Sequence, residues 1–101
     1  EPTASLDINH AINTLDLVRS VVDEGRAAVA AIHDLNLAAR YCDRLVLLAG
    51  GSVLEAGVPA SVLTTETLEA AFDARAVVSH DPTTDSPQVT ALSERQSADD
   101  I

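Results

Sequence analysis

Lysine, methionine and tryptophan are absent from this sequence of 101 residues, cysteine occurs once, and the aromatic side chains are Tyr41 and Phe72 alone. The lone Cys42 cannot form an internal disulfide. A disulfide-stapled fold is therefore excluded, and a reducing, cytoplasmic setting is the default expectation. With 47% apolar residues but 2% aromatic, the core must be assembled from Ala, Val, Leu and Ile, a composition that suits helices packed on short buried strands. Apolar runs such as residues 45–50 fall far below the ~20 residues that cross a bilayer as a helix. The N-terminus has neither a charged-then-apolar leader nor an initiating Met, so the sequence is expected to be cut from a longer chain.

Positive charge is scarce as well. Sixteen acidic residues face six basic ones, all arginine, for a net charge of −10. Such a surface repels phosphate backbones, which argues against nucleic acid as a partner. A bound nucleotide would need Mg²⁺, backbone N–H groups or a neighbouring subunit to offset the repulsion. The acidic, lysine-free balance resembles that of proteins from salt-loving archaea, where high salt screens self-repulsion; compositional drift is the plainer alternative. A chain of this size buries one modest core, hiding roughly two thirds of its unfolded surface.

Helix and strand signals alternate without an internal repeat. Ile8, Ala11, Ile12, Leu15, Val18 and Val22 recur at helical spacing, with Asp7 placed to cap the first turn and Gly25 to end the helix. Residues 26–32, Arg-Ala-Ala-Val-Ala-Ala-Ile, form a short apolar run that predicts a central parallel strand. His33 follows its end, and Asp34 then caps a predicted helix to about Cys42. Residues 44–49 predict a strand, Gly50-Gly51 a hairpin turn, and residues 52–57 a partly exposed return strand. Short helices are predicted over 60–63 and 65–72, and small strands over 76–79 and 88–92, either side of the turn-rich Asp-Pro-Thr-Thr-Asp at 81–85. The polar residues after Ser93 predict a disordered acidic tail.

That order is an α/β arrangement, in which ligands gather beyond the carboxyl ends of parallel strands. His33 follows the end of the predicted strand over 26–32, and Glu1 would follow the end of a strand that this sequence does not include.

The opening Glu-Pro-Thr-Ala-Ser-Leu-Asp, residues 1–7, resembles the end of the Walker B motif running into the D-loop of ATP-binding-cassette (ABC) ATPases. Ala-Ile-His-Asp-Leu, residues 31–35, resembles their switch-histidine loop. Glu1 and His33 stand 32 positions apart, and a helix and a strand fill the interval as in that family. Asp-Ile-Asn-His at 7–10, the run from His33 to Arg44 and Leu-Val-Leu-Leu-Ala-Gly-Gly at 45–51 further resemble importers of cobalamin, ferric siderophores and haem. The likeness covers roughly residues 1–90. It implies the C-terminal part of a P-loop NTPase domain, with parallel strands, flanking helices and a small C-terminal hairpin region. Residues 1–57 would belong to the ATPase core, 58–92 to an accessory segment and 93–101 to the tail.

The resemblance also implies roles. A γ-phosphate is hydrolysed by a water that is oriented in line and relieved of its proton, and a carboxylate at a strand end beside Mg²⁺ can do both. Glu1 is the candidate base, against the alternative of a solvated terminal carboxylate. His33 is the candidate γ-phosphate contact, against the alternative of a strand-end cap. Ser5, Leu6 and Asp7 would form the D-loop at a dimer interface, and Asp7 could serve as helix cap as well. Asp34 reads as a helix cap. His10, His33, His80 and Cys42 match no compact metal-ligand spacing.

The sequence contains no Gly-x-x-x-x-Gly-Lys-Ser/Thr loop, no Walker B aspartate, no glutamine loop and no signature motif. On its own the chain is expected to bind ATP very weakly and hydrolyse none. The implied whole protein is an ATP- and Mg²⁺-dependent subunit at the cytoplasmic face of the membrane. It would pair with a second copy, drive transmembrane permease subunits and serve an external substrate-binding protein indirectly. Two other readings stay open: a DNA-maintenance ATPase of similar chemistry, disfavoured by acidity and by the lack of heptads, and a non-catalytic interaction module in which the motifs are relics.

Overall fold

The computed structural model describes residues 2–92, and the side chains of residues 8–92. Glu1 and the expected acidic tail lie outside the described residues. The chain divides into two units between His33 and Asp34.

The first unit holds helix α1, Pro2–Asp23. Proline suits the first helical position because the N–H it lacks would have no intrahelical acceptor there. No breaker follows it, so the helix starts at Pro2 and takes Asp7 into its body. The expected cap at Asp7 is corrected accordingly. Ala11, Ile12, Leu15, Val18 and Val22 form a half-buried stripe along one side, while Leu17 on another side is exposed. Arg19 and Asp23, one turn apart, form an ion pair at 3.3 Å, and the Gly25 N–H donates to the Val22 carbonyl at 2.9 Å. Gly25 itself takes a φ of +97°, ending the helix where the sequence signal lay.

Residues 26–32 were expected to be a buried strand, and the structure differs. They have no regular secondary structure and are almost all exposed, Val29 completely. A strand is defined by a ladder of hydrogen bonds to a neighbour, and among the described residues none pairs with this segment. Its apolar composition marks it for burial, but no partner strand completes it.

The second unit runs through α2 Leu35–Tyr41, β1 Leu45–Ala49, β2 Ser52–Gly57, α3 Pro59–Val62, α4 Thr65–Phe72, β3 Ala76–Asp81 and β4 Ser86–Ala91. β1 pairs with β2 and β3 with β4, both antiparallel. The α/β class holds, and the strands that form are hairpins. Gly50 and Gly51, at φ of +58° and +80°, supply the two consecutive left-handed residues of a tight turn whose twist matches the flanking strands. A bulge falls between Leu47 and Leu48.

Alternation along β1 turns Leu45 and Leu47 inward and leaves Val46 and Leu48 more than 60% exposed. The core is small and aliphatic, as the composition requires. Ala39, Val62, Leu63 and Leu68 are buried, and Leu35, Leu45, Leu47, Ala76, Val78 and Val89 pack against them. Burial of each large aliphatic side chain contributes about 1.5–3 kcal/mol. α3 therefore supplies the centre of the core although it spans a single turn. α4 is capped by Thr64, whose Oγ1 accepts the Thr67 N–H at 3.2 Å, and it stops at Asp73 in the left-handed region. The β3–β4 turn is closed by Asp81, whose carboxylate accepts the Thr83 N–H at 2.8 Å. That bond holds the Asp81 carboxyl below its ordinary pKa, with Thr84 adding to the effect and desolvation opposing it.

Candidate functional site

His33 occupies a bend and is exposed. It is followed at once by Asp34, whose extended backbone, φ −81° and ψ 109°, begins α2. The Asp34 Oδ1 accepts two main-chain donors, the N–H of Asn36 at 3.0 Å and the N–H of Leu37 at 3.1 Å. These are donors that a helix start leaves without carbonyl partners, and a carboxylate there also complements the helix dipole. Asp34 is thus committed to capping, as its position in the sequence suggested. His33 is left as the chemically versatile group of this loop: an imidazole can donate to a phosphate oxygen or accept from a water.

The second unit also holds a connection that sequence reasoning missed. Asn36 reaches from the first turn of α2 to β4, where the Val89 N–H donates to Asn36 Oδ1 at 2.6 Å and Asn36 Nδ2 donates to the Val89 carbonyl at 3.2 Å. The only sequence hint is a residue of modest helix propensity set between two leucines in the first turn.

The remaining candidates are placed less completely. Glu1 lies outside the described residues. Ser5, Leu6 and Asp7 belong to α1 by their backbone, and their side chains lie outside the described ones. Of the expected catalytic pair, only His33 has a described position. Among the described residues there is no group of three or more His, Cys, Asp or Glu that could hold a metal ion. His80 instead contacts the carboxylate of Asp85 at 3.1 Å, both exposed. Among the described residues no helix is long and apolar enough to cross a membrane.

The residues present do not fit an ATP–Mg²⁺ site by themselves. The sequence has no lysine and no glycine-rich loop to cradle the β- and γ-phosphates, and those donors are what offset phosphate charge in sites of this kind. The described part of the candidate site is one exposed imidazole, next in sequence to the cap of α2.

No family model matches the chain. Among curated proteins it is similar to a cobalamin import ATP-binding protein, BtuD, of Halobacterium salinarum, with 62% identity over 99 residues, covering 97% of this chain and 25% of the relative. It is similar also to hemin import ATP-binding proteins, HmuV. The identity is 47% over 92 residues with that of Gloeobacter violaceus, covering 91% of this chain and 34% of the relative. With that of Vibrio cholerae it is 46% over 90 residues, covering 88% and 35%. The chain therefore spans a quarter to about a third of the length of these relatives.

Proposed function

We infer a function for this chain from the premise that it belongs to the ABC import ATPases: it is a segment of the subunit that binds and hydrolyses ATP to energise uptake across a membrane. The observation that carries this reading is the 62% identity across 97% of the chain with an ATP-binding protein named for cobalamin import. The hemin import proteins give the same activity class at lower identity.

Within the whole ATPase, Glu1 is the group that orients and deprotonates the attacking water, and His33 contacts the γ-phosphate from the loop that Asp34 anchors. Ser5, Leu6 and Asp7 lie at the interface with a second copy of the subunit. Bound ATP–Mg²⁺ supplies the phosphoryl group and the charge that offsets it, and the loops that hold it are contributed by sequence beyond this chain. The subunit works peripherally at the cytoplasmic face, on transmembrane permease subunits that an external binding protein loads. Residues 58–92 form an accessory segment without a catalytic group. Cobalamin is the favoured cargo, with a ferric siderophore or haem as the alternatives.

The test is uptake by membrane vesicles containing the full-length ATPase and its permease, supplied with ATP. ATP-dependent accumulation of cobalamin is the expected result. Accumulation of haem or a ferric siderophore in its place would reassign the cargo, and ATP turnover that responds to DNA but not to permease would refute the transport reading.

A further inference from the structure

The side-chain amide of Asn36 carries a donor and an acceptor at the spacing of a peptide group, and both are used on one residue, Val89. In an antiparallel strand the N–H and C=O of a given residue point to the same side. Val89 therefore turns its main chain away from β3, toward α2, and Asn36 substitutes for a neighbouring strand at that edge of β4. These bonds join residues 53 apart in sequence and are part-buried.

On its other side Asn36 is held by the helix cap, since its own N–H donates to Asp34 Oδ1. Cap, amide and strand form one chain of hydrogen bonds: Asp34 to the Asn36 main chain, and the Asn36 side chain to Val89. The first turn of α2 cannot rotate or slide without breaking the Val89 pair. His33 is bonded directly to Asp34, so the backbone that carries the imidazole starts from this fixed point, about 3.8 Å from Cα to Cα.

We propose that Asn36 is a positioning residue for His33: it ties the start of α2, to which His33 is peptide-bonded through Asp34, to the β3–β4 hairpin. The proposal rests on the reading of His33 as the γ-phosphate contact. Asn36 has no contact with the reacting atoms; it acts through Asp34. Replacing it with an apolar residue leaves the Val89 N–H and C=O without their partners and frees the start of α2.

The experiment is steady-state ATPase kinetics on the full-length protein with Asn36→Ala, Asn36→Asp, His33→Ala and the His33→Ala/Asn36→Ala double variant, with a melting temperature for each. Asn36→Ala is expected to lower kcat by about 10- to 100-fold, the usual cost of a misplaced reacting group, with the KM for ATP unchanged. Asn36→Asp retains the acceptor for the Val89 N–H and loses the donor to its carbonyl, so it should fall between the parent and Asn36→Ala; it also carries the test if Asn36→Ala does not fold. The double variant should be no slower than His33→Ala, because a positioning residue has nothing to add once the positioned group is gone. An unchanged kcat in Asn36→Ala, or a further loss in the double variant, overturns the proposal. Full turnover in His33→Ala would instead refute the role of His33, and this inference with it.

Discussion

The carboxylate of Asp34 accepts the Leu37 N–H at 3.1 Å, across the first turn of α2, while it also holds the Asn36 N–H. A helix of seven residues has little stability of its own, since nucleation is costly and few hydrogen bonds follow it. Packing of Leu35 and Ala39 on the core holds α2, and the cap adds to it by satisfying two main-chain donors. Asp34→Ala should cost about 1 kcal/mol in chemical denaturation, and Asp34→Asn much less, since asparagine caps nearly as well. Equal losses in the two variants would show that the charge of Asp34, and not its hydrogen bonding, is what matters.

Leu63 is 1% exposed and packs with Val62 and Leu68 at the centre of the second unit. Leu63→Ala should destabilise by about 2–5 kcal/mol, through lost burial and the cavity it leaves. For a unit with so few buried side chains this approaches the whole stability of a small domain. Loss of the cooperative melting transition is the expected outcome, and a melting curve like that of the parent would contradict the assigned core.

Much of the second unit was legible in sequence because its signals are local. Gly50-Gly51 announced a hairpin, Asp34 a cap, and the predicted helix over 65–72 coincides with α4. The strands β3 and β4 run longer than expected, since Asp81 and Ser86 extend the ladder up to the turn. What failed depends on partners distant in sequence. Residues 26–32 have the composition of a buried strand, but composition does not create the neighbouring strand. Asp7 looked like a cap because Asp commonly caps, whereas Pro2 is the stronger start signal. Asn36 was missed since its partner, Val89, lies 53 residues away. The site was legible mainly through motif resemblance; spacing alone left Glu1 and His33 with plain alternatives.

Asp81 offers a check on pH dependence. Its folded pKa lies below the ordinary 3.8, so the stability it contributes is present above that value and is lost as pH falls through the folded pKa. An NMR titration should place the Asp81 midpoint below 3.8, and Asp81→Asn should flatten the acid limb of stability in that window. A midpoint at or above 3.8 would mean that the Thr83 bond does not persist in solution.

A net charge of −10 on 101 residues makes self-repulsion a standing cost at low ionic strength. Raising salt from about 0.1 M to 1 M shortens the screening length from about 10 Å to 3 Å. Melting temperature should rise across that range in KCl. A flat or falling dependence would show that the acidic residues are too dispersed to strain the fold.

The claim on which the functional reading turns is that Glu1 is the general base of an ABC import ATPase. The most direct measurement is ATP binding and ATP turnover, side by side, in the full-length protein with Glu1→Gln. Glutamine keeps the size and hydrogen-bonding reach of the side chain but cannot take a proton. ATP affinity should be retained while kcat falls by about 10²-fold or more; turnover equal to that of the parent would contradict the assignment.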